Sequence, residues 1–159
     1  MTSASGPPRR RGAARWVLAT LLAAMAAAQL SDLQGFIDIV ATYRVGSGAV
    51  AGALGAALIT GEIAGAVGLW GGPPRRQAGT VALAVAVGWS VLGAQAFARG
   101  IAVDNCGCFG VHAGQQLRWW VLIEDLEFIA LAWWVRGRGA APAAVAASGG
   151  EGPDRVTVS

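Results

Sequence analysis

Lysine is absent from this chain, and each of its 12 basic residues is an arginine. Together with abundant alanine and glycine, this reads as base-composition bias and carries no functional information. Charge of either sign is scarce: 13% of residues are charged and 55% are hydrophobic, against about a quarter charged in an ordinary soluble domain. That balance, with a mean hydropathy of +0.52, excludes a typical water-soluble globule and makes lipid the expected solvent. A pI near 9.7 would suit nucleic acid, but the arginines fall in short clusters between apolar runs rather than along one face, so a nucleic-acid surface is not expected. Two cysteines are too few for a disulfide framework. No repeat of solenoid or propeller length is visible, and 159 residues read as one domain.

What the chain does have is long apolar runs. A bilayer core takes about 20 helical residues to cross, and four segments approach that length: 16–33, 45–70, 79–98 and 119–135. The expected fold is therefore all-α, an integral membrane four-helix bundle over residues 16–136. It is preceded by a basic leader (1–15) and followed by an Ala/Gly/Ser/Pro-rich tail (137–159) with the composition of a disordered segment. The first segment is short, and a cleaved secretory signal is its rival reading, with Ala26, Ala27 and Ala28 before Gln29 as the small-residue site. A polar bridge (residues 31–44) leads to the second segment, whose glycines and alanines suit close helix packing in lipid. The fourth opens with Trp119-Trp120 and closes with Trp133-Trp134, as interfacial aromatic belts do, although Glu124, Asp125 and Glu127 weaken it.

Cytoplasmic connections favour arginine. Arg9, Arg10, Arg11 and Arg15, then Arg75 and Arg76, then Arg136, Arg138 and Arg155 fall on one set of connections, leaving only Arg44, Arg99 and Arg118 on the other. Both termini are thus expected in the cytoplasm and the loop after the third segment outside it, in a multi-pass bacterial plasma-membrane protein. If the first segment were cleaved, that loop would keep its side.

The loop carries RGIAVDNCGCFG, residues 99–110. Cys106 and Cys108 flank Gly107, which eases closure of the small strained ring that a disulfide across one residue makes; strained exposed disulfides are the readily exchanged ones. Arg99 would favour the thiolate and Asp104 would oppose it. Two other readings stand beside redox chemistry. The cysteines are structural or inert, or Cys106, Cys108 and the sole histidine, His112, supply three ligands to a soft metal.

On these residues the chain resembles the methylamine utilisation protein MauE family, within the wider DoxX-like group of small four-helix membrane proteins. The resemblance runs over roughly residues 30–134. It rests on Phe36, Tyr43, Gly61-Glu62, Arg99-Gly100, Asp104 and Cys106-Gly107-Cys108-Phe109-Gly110. Relatives often carry an arginine at the start of the last span, where this chain has Ile123-Glu124-Asp125. The resemblance implies a redox-associated accessory protein that works with a thioredoxin-like extracytoplasmic partner. Its client would be a disulfide-bearing periplasmic protein, as in methylamine dehydrogenase maturation. The resulting expectation is thiol–disulfide exchange at Cys106 and Cys108, supported by Glu62, Arg99, Asp104, Gly107, Phe109 and Gly110. With a single thiol pair, a lipid-soluble acceptor such as a quinone would have to complete an electron path. The alternatives are a docking or chaperone-like subunit without turnover, and a metal-handling or small-solute channel protein.

Glu62 lies deep in the second segment, where an ionisable group is costly and marks a functional candidate, either a proton carrier or a carboxyl joining two helices through Thr60 or Gln95. Glu124 and Glu127 share a face, and the acids are expected in the first turns of the fourth segment, favoured by its helix dipole. Tyr43 is expected to anchor the second segment at the interface.

Overall fold

The computed structural model describes residues 8–71 and 75–137, and their regular structure is helical, in five helices with no strand among the described residues. Helix α1 is Pro8–Ser31, α2 Leu33–Thr42, α3 Gly48–Gly71, α4 Arg75–Ala98 and α5 Trp119–Arg136. Residues 8–15 of the basic leader belong to α1, whereas residues 1–7 and the tail from 138 lie outside the described residues. Pro8 opens α1 where its missing N–H costs nothing, and α1 stops at Ser31, two residues short of the expected boundary.

The polar bridge is a helix, which is a correction to the sequence reading. Asp32 breaks from α1 and caps α2, its Oδ1 accepting from the Gly35 N–H at 2.9 Å. Phe36 and Val40, four apart, bury one face of α2, and Tyr43 follows them into the core. Ile37 and Ile39 are half-buried beside them, and the bridge looks polar because Asp32, Gln34, Asp38 and Thr42 stay exposed.

Helix α1 packs on α3, α3 on α4, α4 on α5, and α1 closes against α5, with α2 laid on α3. Small residues permit these approaches. A Cβ on Gly65 would come 2.9 Å from Leu22 Cδ1, and one on Gly79 would come 2.6 Å from the Arg136 Cα. Leu18, Leu22, Met25 and Gln29 of α1 are buried, so α1 is part of the core. Arginines stack on tryptophans at both ends: Arg15 on Trp16 and Arg136 on Trp133 at one, Arg118 on Trp120 at the other.

Three helical stretches are long and apolar enough to cross a membrane: Gly12–Ser31, Gly48–Gly71 and Arg76–Ala98. Their outward side chains are apolar, with Val67 61% and Val91 59% exposed, a surface suited to acyl chains rather than water. The chain is a membrane protein. Helix α5 forms where the fourth span is expected, but Glu124, Asp125, Glu127 and Arg136 keep it out of the apolar class.

Candidate functional site

Between α4 and α5 the chain turns back into the mouth of the helices instead of standing off them. Its two legs pair, Leu117 N–H donating to the Val103 carbonyl at 2.9 Å and Cys106 N–H to the Gln115 carbonyl at 2.8 Å. Asn105 ties the tip: its Oδ1 accepts from Gly107 N–H and its Nδ2 donates to the Gly110 carbonyl, both at 2.9 Å. Two glycines make the turn possible. Gly107 has φ +82° and faces Ile39, Trp89 and Phe36, and Gly110 has φ +58° and lies against the backbone of Ala28 and Gln29. Phe109, half-buried, packs on the core.

The tip therefore places Cys106 and Cys108 against the bundle. Cys106 is 5% exposed and Cys108 is half-buried, both as free thiols. The sequence reading treats the pair as lying on an exposed extracytoplasmic loop; the structure instead seats both cysteines against the helices, with Gly107 and Gly110 allowing the close approach. The neighbouring Cys108 thiol, as a donor to a Cys106 thiolate, lowers the Cys106 pKa to about 7 against the opposing effect of burial. The same pairing with Cys106, together with burial, pushes the Cys108 thiol up. The loop's carbonyls are held as well: Tyr43 Oη donates to the Cys106 carbonyl at 2.7 Å and Gln29 Nε2 to the Cys108 carbonyl at 3.0 Å. Tyr43 is 1% exposed, a strut beneath the thiols rather than an interfacial anchor, and burial raises its phenol well above the usual range.

The charged residues nearest in sequence are not the ones that act on the thiols. Arg99 is exposed and donates to the Arg44 carbonyl at 3.2 Å and Gln95 Oε1 at 2.9 Å, and Asp104 is exposed. Asp125 of α5 is buried instead, facing α4 at Gly93, and its negative charge disfavours both thiolates. The helix-dipole reading of the α5 acids is corrected accordingly. None lies in the first turn, Glu124 is exposed and accepts from Gln115 Nε2 at 2.9 Å, and Asp125 faces inward.

Glu62 is fully buried, and its Oε1 accepts from Gln29 Nε2 at 3.1 Å and from Trp89 Nε1 at 3.0 Å. Neither Thr60, which is exposed, nor Gln95, which donates to the Tyr43 and Leu92 carbonyls, is its partner. Gln29 thus bonds both Glu62 and the cysteine loop, joining α1, α3 and the loop in one polar cluster. Sequence reasoning missed Gln29 and Trp89. Trp89 did carry a signal: a tryptophan in the middle of a span, away from the interfacial belts, needs a buried acceptor for its N–H. Among the described residues no three His, Cys, Asp or Glu side chains gather to hold a metal. His112 faces Ser31 Oγ at 2.6 Å, so the three-ligand site with the cysteines does not form.

The influence of Cys108 on Cys106 has a titration consequence. A lowered pKa means that the Cys106 thiolate is present above about pH 7 and lost below it. Alkylation of detergent-solubilised protein should rise through that pH, and Cys108→Ala should move the midpoint up toward about 8.5, the ordinary thiol value. An unmoved midpoint would assign the shift to some other group.

No curated protein and no solved structure matches this chain. The sequence profile described as Methylamine utilisation protein MauE matches residues 11–136, from the first turns of α1 to the end of α5 and across every residue of the cluster above. A match over that share of the chain makes this membrane protein a member of the MauE family.

Proposed function

We propose that the chain is a four-span bundle of the bacterial plasma membrane, with α1 retained as a span, α5 as the fourth, both termini cytoplasmic and the cysteine loop outside. There it exchanges disulfides with a thioredoxin-like protein that serves a disulfide-bearing exported client, in keeping with the family's association with methylamine utilisation. The observation that supports this reading is the seating of Cys106 and Cys108 on either side of Gly107, whose φ of +82° turns the tip onto the bundle, with the Cys108 thiol favouring the Cys106 thiolate. In the exchange the Cys106 thiolate attacks a partner disulfide and displaces one partner sulfur as thiolate. Cys108, once deprotonated, attacks Cys106 and releases the other. The partner ends as dithiol and this chain as disulfide, with two electrons moved.

A quinone is the acceptor or donor that a single thiol pair calls for. The apolar groove between α3 and α4, about 610 Å³, is lined by Leu54, Leu58, Gly61, Val85, Gly88 and Leu92 among others, and by no residue of the cysteine loop. The groove does not lead to the sulfurs.

Burial of Cys106 favours a second reading, a docking or chaperone-like subunit whose CGC tip shapes a surface without turnover. Redox state separates the two. After reduction of intact cells, a membrane-impermeant maleimide should label the loop. Without reduction, the pair should be found as both dithiol and disulfide, in proportions that follow the partner's supply. A pair locked in one state whatever the partner's level would favour docking, and protection from the reagent until lysis would overturn the orientation.

A further inference from the structure

Two buried polar atoms in the cluster have no partner: Glu62 Oε2 and Gln29 Oε1. They belong to side chains that already touch, since Gln29 Nε2 donates to the other carboxyl oxygen at 3.1 Å. Both residues are 0% exposed. The carboxyl receives its hydrogen bonds from an amide and an indole, and no arginine side chain among the described residues donates to it. The buried or half-buried titratable groups around the loop are Cys106, Cys108, Tyr43 and Asp125, none of them a cation; Arg15, Arg76 and Arg136 stand toward the ends of their helices, and Arg99, His112 and Arg118 on the loop are exposed. An ionised carboxylate out of water without a cation is strongly disfavoured.

A single proton resolves the arrangement. On Glu62 Oε2 it gives an O–H able to donate to Gln29 Oε1, and acid and amide then exchange two hydrogen bonds, one of which is already present. The other N–H of the same amide holds the Cys108 carbonyl at 3.0 Å, and the Glu62 carboxyl lies near enough for its charge to disfavour the Cys108 thiolate. Of the two sulfurs, Cys108 is the one whose anion the site tolerates poorly.

We propose that Glu62 holds a proton shared with Gln29, gives it to the Cys108 sulfur when exchange releases that sulfur, and takes it back when Cys108 attacks. This rests on the thiol-exchange reading. When a partner thiolate attacks Cys106 in the disulfide form, a partner–Cys106 bond forms, the Cys106–Cys108 bond breaks and its electron pair goes to Cys108. Cys108 takes the Glu62 proton and becomes a thiol. The partner's second thiol loses its proton, which restores Glu62, and its thiolate attacks the partner sulfur bound to Cys106. The partner is oxidised to a disulfide, and Cys106 leaves as the thiolate that its low pKa allows.

The test uses the full chain in detergent. Glu62→Gln offers an amide N–H to Gln29 Oε1 in place of the acid O–H, so it should fold. The infrared spectrum at neutral pH should show a protonated-carboxyl C=O band that is absent from Glu62→Gln and retained in Asp125→Asn. Reduction of the Cys106–Cys108 disulfide by dithiothreitol should slow about 100-fold in Glu62→Gln, the scale of lost internal proton transfer, with Glu62→Asp recovering part of the rate. A purely structural carboxyl would leave the Gln variant at the parent rate, because Gln keeps the hydrogen bonds. Absence of the band, or an unchanged rate, overturns the proposal. If band and rate behave as stated but no partner adduct ever forms on the cysteines, the proton-holding role stands and the thioredoxin-like partner falls.

Discussion

Cys108→Ser should accumulate a reductant-sensitive adduct with a thioredoxin-like extracytoplasmic protein, and Cys106→Ser should not. In thiol exchange the attacking sulfur first forms a mixed disulfide, and the neighbouring thiol resolves it. The attacker must be a thiolate at working pH, and only Cys106 qualifies, with its pKa near 7 against a Cys108 pushed above the ordinary value. A serine at 108 keeps a donor beside Cys106 but cannot resolve the adduct, so the intermediate is stranded. Non-reducing electrophoresis followed by mass spectrometry of the shifted band reads the outcome. An adduct on Cys108 alone would reverse the assignment. No adduct on either variant, with full activity of the double Cys→Ser chain, would end the redox reading.

Gly110→Ala should unseat the loop and raise thiol labelling roughly 100-fold in the folded, solubilised protein. The new Cβ would lie 2.9 Å from the Ala28 carbonyl oxygen and 3.2 Å from Gln29 Cα, positions the backbone of α1 cannot readily yield. The residue also sits at φ +58°, where a side chain costs roughly 1–2 kcal/mol. Adding an overpacking cost of about 1–3 kcal/mol gives on the order of 3 kcal/mol against the docked loop. Labelling through a transient open state follows that free energy. Alkylation rates compared with the parent check it, with helical content by circular dichroism confirming that the bundle persists. A parent-like rate would mean that the loop is reactive without opening.

The two expectations bear on one question, which is how a partner reaches a sulfur that is 5% exposed. The loop is held at a few identifiable points: Tyr43 and Gln29 on the two cysteine carbonyls, Asn105 within the tip, and His112 on Ser31. Each hydrogen bond contributes about 1 kcal/mol net. A partner that substitutes its own contacts for these can lift the tip without disturbing the long helices.

The apolar runs determined by themselves that this is a helical membrane chain, because hydrophobic length and lipid thickness are matched locally and need no tertiary information. The CGC motif was legible for the same reason: two thiols flanking a glycine are close in any fold. The helix α2 was misread because its buried face is only Phe36, Val40 and the following Tyr43, too brief a periodicity to show within a polar segment. Tertiary structure decided everything that depends on which distant residues meet. Arg99, seven positions from Cys106, turned to Gln95 and the Arg44 carbonyl, whereas Gln29, 79 positions from Cys108, became its neighbour. Separation along the chain carries little information about charge placement once helices cross. Glu62 shows the division most plainly. Its depth in an apolar run announced a costly group, but that its partners are an amide on α1 and an indole on α4, with one oxygen left over, follows only from how α1, α3 and α4 pack around the loop.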